Sequence, residues 1–267
     1  TVFSTWRLHS HIVLKCCILS SIATCKQPER KNPMSIPRLL CSFDLETTGV
    51  DVTTDRVVTA ACLDIDTESN SQTLHTWLAD PGVEIPTEAS DVHGITTDIA
   101  RRDGEDHDKV IDEVIAHIYD SWKQGAALVV YNAAYDLSML HVLSHGAFNI
   151  HGPVIDPYII DRGVEPYRRG KRKLVNLCEA YGVEFNEAEA HAADYDCLKA
   201  AELAQQQLDG RKFSGGVPSE DMRELYMQQV GWYRDWFVGF KDWMVSQGRS
   251  IDGDEVWPIQ RRAQEAI

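Results

Sequence analysis

Hydrophobic and polar positions along this chain follow two periods, and one gives way to the other. From Leu39 the period is two. A short apolar run, Leu39 to Ser42, leads into Phe43-Asp44-Leu45-Glu46, so Cys41, Phe43 and Leu45 share one strand face while Asp44 and Glu46 share the other. Arg56 to Ile65 reads as a second strand. The polar turn Asp66 to Ser71 leads to a third, Thr73 to Leu78, where Leu74, Thr76 and Leu78 alternate with His75 and Trp77. These three predict an antiparallel meander built outward from the carboxylate strand, broken by Asp80-Pro81-Gly82.

The helical period then takes over. Val92-His93-Gly94-Ile95-Thr96 reads as a loop entering a short helix. Val110, Ile111, Val114, Ile115, Ile118 and Trp122 recur at helical spacing. Ala126 to Val130 is a compact apolar run and predicts a buried strand, followed by a helix with Leu137, Leu140 and Leu143 inward and Gly146 as its stop. Pro153 to Ile160 predicts a last short strand, Lys173 to Tyr181 a helix ended by Gly182, and His191 the opening of a helix that ends at Gly210. Three strands followed by alternating helices and strands predict a mixed α/β sheet flanked by helices. Lys212 to Pro218 reads as a linker. Beyond it, Ser219 to Gln247 carries a helical stripe of Met222, Leu225, Tyr226, Trp232, Trp236, Phe240 and Trp243. Packing against the main domain or a partner helix is one reading of that stripe; stacking platforms for bases are the other.

Composition adjusts this outline in three places. The chain has 267 residues, 43% hydrophobic and 25% charged, as in a soluble globular protein. Its net charge of −15 argues against coating DNA by charge alone, but not against a nuclease, whose carboxylate-held cations offset the acidity locally. The seven cysteines form no C-x-x-C pair and read as reduced thiols of a cytoplasmic protein. Residues 1–33 stand apart, with five basic residues, one acid and an apolar stretch from Ile12 to Ala23 that Lys15 interrupts; it is too short to cross a membrane. They read as a leader outside the working fold, which is expected to begin near Met34. The expected organisation is a leader (1–33), a catalytic domain (34–210), and a linker with a Trp-rich helical extension (211–267).

The chemistry centres on Asp44 and Glu46. Two carboxylates side by side at the end of a core strand repel each other and lose hydration. A hard divalent cation such as Mg²⁺ would remove both costs; otherwise they are two surface acids. Asp136 follows the central buried strand, and Asp196 lies in a helix five residues after His191. Five residues on a regular helix turn two side chains about 140° apart. His191 and Asp196 therefore share a cleft only if His191 precedes the helix proper, which small Ala192 and Ala193 permit.

In this order the three stretches resemble the motifs of the DEDD-type 3′–5′ exonucleases, histidine subclass. That family includes the proofreading epsilon subunit of bacterial replicative polymerases, ribonuclease T and oligoribonuclease. Phe43-Asp44-Leu45-Glu46-Thr47-Thr48-Gly49 matches the first motif, and His191 to Asp196 the third. The second departs from the proofreading branch, with Tyr131 where His is common and Tyr135 where Phe is common; Asn132, Ala133 and Asp136 fit. The loop Val92 to Thr96 also resembles a segment of that branch, and the resemblance covers about residues 38 to 209.

The resemblance implies a ribonuclease H-like fold with a five-stranded mixed sheet, to which the helical stripe after Ser219 adds an α-helical C-terminal extension. It implies two Mg²⁺ or Mn²⁺ ions held by Asp44, Glu46, Asp136 and Asp196, with His191 as general base. Thr47 and Thr48 would hold the terminal nucleotide with Asn132 nearby, and Leu45, His93 and Tyr135 would line the pocket for the last bases. The expected activity is 3′–5′ hydrolysis of single-stranded DNA to nucleoside 5′-monophosphates, in proofreading or repair. RNA is the alternative substrate, and a non-catalytic nucleic-acid or partner-binding module the alternative class. No membrane partner is expected; the C-terminal helix is a candidate face for a polymerase or another protein. The basic run Tyr167-Arg168-Arg169-Gly170-Lys171-Arg172-Lys173 is either a phosphate contact or a solvated loop.

Overall fold

The computed structural model describes residues 36–186, 188, 190–209, 219, 221–251 and 253–267. The expected leader and linker lie outside the described residues, which all belong to one compact unit. The meander forms as its alternation requires: β1 (Leu39–Thr47), β2 (Val57–Asp66) and β3 (Ser71–Asp80) run antiparallel, with Phe43 opposite Cys62 and Cys62 opposite His75. Two short helices follow, α1 (Thr87–His93) and α2 (Thr97–Asp103). Gly94 ends α1 at φ 79°, a conformation that favours glycine, and the Thr96 hydroxyl caps α2 by accepting from the Ile99 amide. After β4 (Glu105–Asp106) come α3 (His107–Lys123), β5 (Ala127–Val130), α4 (Ala133–Leu143) and β6 (Val154–Ile155). The remaining helices are α5 (Pro157–Val164), α6 (Leu174–Tyr181), α7 (Ala193–Leu208), α8 (Met222–Ser246) and α9 (Arg261–Glu265).

The sheet order is β4-β3-β2-β1-β5-β6, with β5 and β6 parallel to β1. Among the described residues it therefore has six strands where five were expected. The extra one, Glu105–Asp106, pairs with Ala79–Asp80 and is too short for any side-chain period to reveal. A second correction concerns Pro153 to Ile160. Only Val154 and Ile155 are strand; the Asp156 carboxylate then accepts from the Tyr158 and Ile159 amides, and Pro157 begins α5. A capping acid before a proline with preset φ turns an apolar, β-branched run into a helix.

The faces of the sheet are covered differently. Cys41, Phe43, Leu45 and Cys62 pack under Val110, Ile111, Val114 and Ile118 of α3, large side chains each worth about 1.5–3 kcal/mol on burial. On the other face Leu40, Ala61 and Val129 meet Ala200, Ala201 and Ala204 of α7, whose small residues bring that helix close to the strands. The C-terminal segment belongs to the same core. Leu225, Gln229, Tyr233 and Phe237, four residues apart, form the buried side of α8, and a methyl group on Gly163 of α5 would collide with the Trp232 ring. The buried Gln229 closes the β6 edge: its Oε1 accepts from the Asp156 amide at 2.7 Å and its Nε2 donates to the Val154 carbonyl at 2.9 Å. Past Phe237 the helix emerges, with Trp236, Phe240 and Trp243 stacked at 5.8 Å intervals and Trp243 51% exposed. Among the described residues no helix is long and apolar enough to cross a membrane.

Candidate active site

The topology brings the acids to one end of the sheet. Because β5 lies parallel beside β1, with Val130 next to Phe43, both strands finish at the same edge. Asp44 and Glu46 stand at the end of β1, and Asp136 sits in the first turn of α4, which starts just after β5. Asp196 enters from α7, packed across β1 and β2. Asp44 feels all three of the others. Burial, then the charges of Asp136, Glu46 and Asp196, drives the Asp44 carboxyl well above the usual carboxylate range. Burial, joined by the Asp196 charge, raises Glu46 from 4.5 to about 8. Asp136 is pushed up strongly by burial, only partly offset by its own amide and that of Leu45. Burial also raises Asp196, although the neighbouring His191 opposes it.

His191 stands where the spacing argument required it. Its φ of 65° places it in the left-handed region, and Ala192, extended at φ −104° and ψ 120°, hands the chain to α7 at Ala193. The turn lets both side chains reach one place: Glu46, His191 and Asp196 each bring a ligating atom within 4.8 Å of the other two. Asp196 Oδ1 is buried and without a hydrogen-bond partner. An orphaned buried carboxylate oxygen among mutually repelling acids is a site shaped for a cation, and its donors are hard oxygens that suit Mg²⁺ or Mn²⁺.

Asp156 supports this arrangement and was not foreseen. Fully buried, its carboxylate accepts from the Asn132 amide at 3.0 Å and the Ala133 amide at 2.9 Å while also capping α5. Asn132 at φ 66° starts α4, so Asp156 fixes the helix that carries Asp136. Trp257 Nε1 donates to the same carboxylate at 3.4 Å, and the Gln260 amide donates to Ser138 Oγ at 2.8 Å, binding the C-terminal segment to α4.

Two clefts flank Glu46. One of about 480 Å³ is lined by Leu45, Thr47, Thr48, His93 and Tyr135; the other, about 440 Å³, by Thr59, Trp77, His93 and His191. Five of the six expected substrate contacts thus share one cleft, and Asn132 is not among the side chains lining either. Thr48 is mostly committed elsewhere: it is buried, donates to Asp55 Oδ1 at 3.0 Å and accepts from the Arg56 amide at 3.0 Å. The Tyr135 and Thr47 hydroxyls are 2.7 Å apart and both donate to the Gly49 carbonyl, which shapes the cleft wall. His93 Nδ1 accepts from the Ile95 amide, and burial lowers its pKa, so the ring is neutral at pH 7. In the basic run, Arg168 and Arg172 are taken by the buried Asp161 at 2.8 and 2.7 Å, leaving Arg169, Lys171 and Lys173 exposed.

The comparisons with known proteins follow the same outline. The model of the RNase_T exonuclease family matches residues 41–204. Ribonuclease T of Baumannia cicadellinicola is 27% identical over 185 residues, covering 65% of this chain and 85% of that protein. The PolC-type DNA polymerase III of Pediococcus pentosaceus is 24% identical over 194 residues, 72% of this chain but 13% of the polymerase. Among solved structures, exonuclease I superposes with a TM-score of 0.52 at 18% identity, over 63% of this chain and 40% of the other, a likeness of fold. The chain belongs to the RNase_T exonuclease family, and is a DEDD-type 3′–5′ exonuclease of the DnaQ and ribonuclease T superfamily.

Proposed function

We propose that this exonuclease acts on the 3′ ends of single-stranded DNA, releasing nucleoside 5′-monophosphates in proofreading or repair. In this reading Asp44, Glu46, Asp136 and Asp196 hold two divalent ions, Mg²⁺ or Mn²⁺, and His191 is the general base. The carrying observation is that Glu46, His191 and Asp196 bring ligating atoms within 4.8 Å of one another, with Asp44 near enough to Asp136, Glu46 and Asp196 for their charges to raise its carboxyl. The dependence of the family on divalent metals supports it as well. Bound ions would supply Lewis acidity at the scissile phosphate and the positive charge that lets the four acids ionise together.

The protein's own groups do the rest. A ring nitrogen of His191, exposed beside Glu46 and Asp196, takes a proton from the attacking water as its oxygen bonds to phosphorus. The bond from phosphorus to the penultimate 3′-oxygen breaks, its electron pair leaves with that oxygen, and the last nucleotide departs with the phosphate. The cleft of Leu45, Thr47, Thr48, His93 and Tyr135 receives the terminal nucleotide and bases, with Asn132 at the start of α4. Residues 34–210 form the catalytic domain. Residues 211–267 form the extension, whose exposed aromatic end serves a polymerase or other protein partner. The cytoplasm is the proposed location.

A second reading, the same chemistry on RNA, is favoured by one observation. The chain matches 85% of a ribonuclease T but only 13% of a PolC polymerase. End-labelled single-stranded DNA, duplex DNA and RNA, digested in parallel with Mg²⁺, Mn²⁺ or chelator, decide between them. Shortening of linear single strands from the 3′ end with metal alone is the expected result. Equal cutting of a circular single strand, or hydrolysis in chelator by metal-free protein, would overturn the proposal.

A further inference from the structure

The sheet face turned away from Asp44 carries a second set of ligating side chains, which hydrolysis does not use. Cys41 on β1 lies opposite Asp64 on β2, and Cys62 on β2 lies opposite His75 on β3. Directly opposed residues of an antiparallel pair share a face, so alternation gathers all four on one side. The α3 helix lays His117 and Ser121 over them. The Cys41 and Cys62 thiols and a His117 ring nitrogen lie within 4.8 Å of one another. His117 Nε2 is 3.0 Å from Asp64 Oδ2, and Ser121 Oγ is 3.4 Å from Asp64 Oδ1. His75 Nε2 lies 3.5 Å from the same Asp64 oxygen, with its ring centroid 4.4 Å from that of His117.

Core packing alone does not call for this set. A buried cysteine packs as a small hydrophobe, yet here two wholly buried thiols are brought against an imidazole and a carboxylate. Two sulfurs, one nitrogen and one oxygen form a donor set for a tetrahedral ion of intermediate softness, whereas the nuclease centre offers mainly hard oxygens. A cleft of about 150 Å³ bordered by Asp64, Thr73 and Ser121 opens on the Asp64 side of this set. From this geometry we infer that Cys41, Cys62, His117 and Asp64 form a zinc site joining β1 and β2 to α3, behind the catalytic carboxylates. His75 is its supporting group, set against Asp64 as carboxylates and histidines brace one another around metal ligands.

Cobalt titration of the full-length, reduced, metal-stripped protein tests this, because Co²⁺ bound by thiolate shows a sulfur-to-metal charge-transfer band that an oxygen-ligated ion lacks. A stoichiometric amount of Co²⁺ should raise the band, and Zn²⁺ should bleach it. Cys41→Ser and Cys62→Ser should each abolish it, while Asp44→Asn and the triple variant Cys16→Ser, Cys17→Ser, Cys25→Ser should retain it. Where a buried Cys→Ser variant fails to fold by circular dichroism, the partly exposed pair His117→Gln and Asp64→Asn takes its place, and loss of at least ten-fold in Co²⁺ affinity is expected. No band in wild-type protein with its thiols free, or a band surviving these substitutions, would refute the site. A Cys41–Cys62 disulfide in peptides from protein isolated without reductant would refute it equally.

Discussion

Asp161, buried, and Asp44, half-buried, are carboxylates of one sheet-and-helix core, and their surroundings are opposite. Asp161, on α5, is 0% exposed and fully answered: Arg168 and Arg172 donate to it from the basic run, and the Tyr181 hydroxyl donates at 3.0 Å. Asp44 meets Asp136, Glu46 and Asp196 instead, whose charges add to its desolvation and hold it towards the protonated form. The protein therefore neutralises a structural acid with its own cations. In the proposed reading it leaves the four acids at the sheet edge to a cation from outside, the difference expected when one carboxylate holds a fold and four take a ligand.

That contrast can be broken most sharply at Asp44. Asp44→Asn should lower turnover by about 10³-fold or more, since several kcal/mol of transition-state charge stabilisation go with the metal. The metal-free variant should melt no lower than metal-free wild type, because a repelling acid has gone. A clear drop in that melting temperature would mean that Asp44 is structural, like Asp161. His191→Ala should cost roughly 10²–10⁴-fold in rate while calorimetric Mn²⁺ binding persists. Loss of Mn²⁺ binding in this variant would make His191 a ligand or anchor, not the base.

Asp161→Asn should behave in the opposite sense. It strands two guanidinium groups, so stability should fall by about 3 kcal/mol, the lower end for a broken buried pair because Arg168 and Arg172 keep some contact with water. Chemical denaturation measures this; unchanged stability with lost activity would reverse the roles assigned to the two acids. The smallest effect is a pH trend. Glu46, raised from 4.5 to about 8 on folding, binds more protons in the folded state than in the unfolded state across that window. In chelator, its contribution is least harmful below about pH 4.5 and stability declines as pH rises towards 8. Thermal melts should show a decline of a few degrees, recovered by Mg²⁺ at pH 8 and absent from Glu46→Gln. A metal-free protein that gains stability over the same range would contradict it.

Much of this contrast was legible beforehand, on one side only. Strand alternation put Asp44 and Glu46 on one face, and helix geometry required His191 to precede α7; both are local rules that short sequences obey. The supporting groups were hidden because their partners are remote in sequence. Asp156 holds Asn132 and Ala133, Gln229 holds Asp156, and Trp257 reaches the same carboxylate; nothing near them in sequence marks them. One signal was present and unread: an Asp before Pro157 is a helix start, and it would have ended the last strand at Ile155. The pairing of Arg168 and Arg172 with Asp161 was equally invisible, since the run looks the same whether its charges face phosphate, water or a buried acid.

The Gln229 side chain has a consequence for how the molecule keeps to itself. β6 is the last strand of the sheet among the described residues, and an open last strand offers a row of donors and acceptors on which a strand from another chain can assemble. The Gln229 carboxamide offers an acceptor to the Asp156 amide and a donor to the Val154 carbonyl, the same pair that an incoming strand would use. It thus acts as a one-residue stopper against fibre-like growth. A chain cut before α8 would lose that stopper together with the apolar cover of Leu225 and Tyr233, and its bare edge would recruit copies of itself.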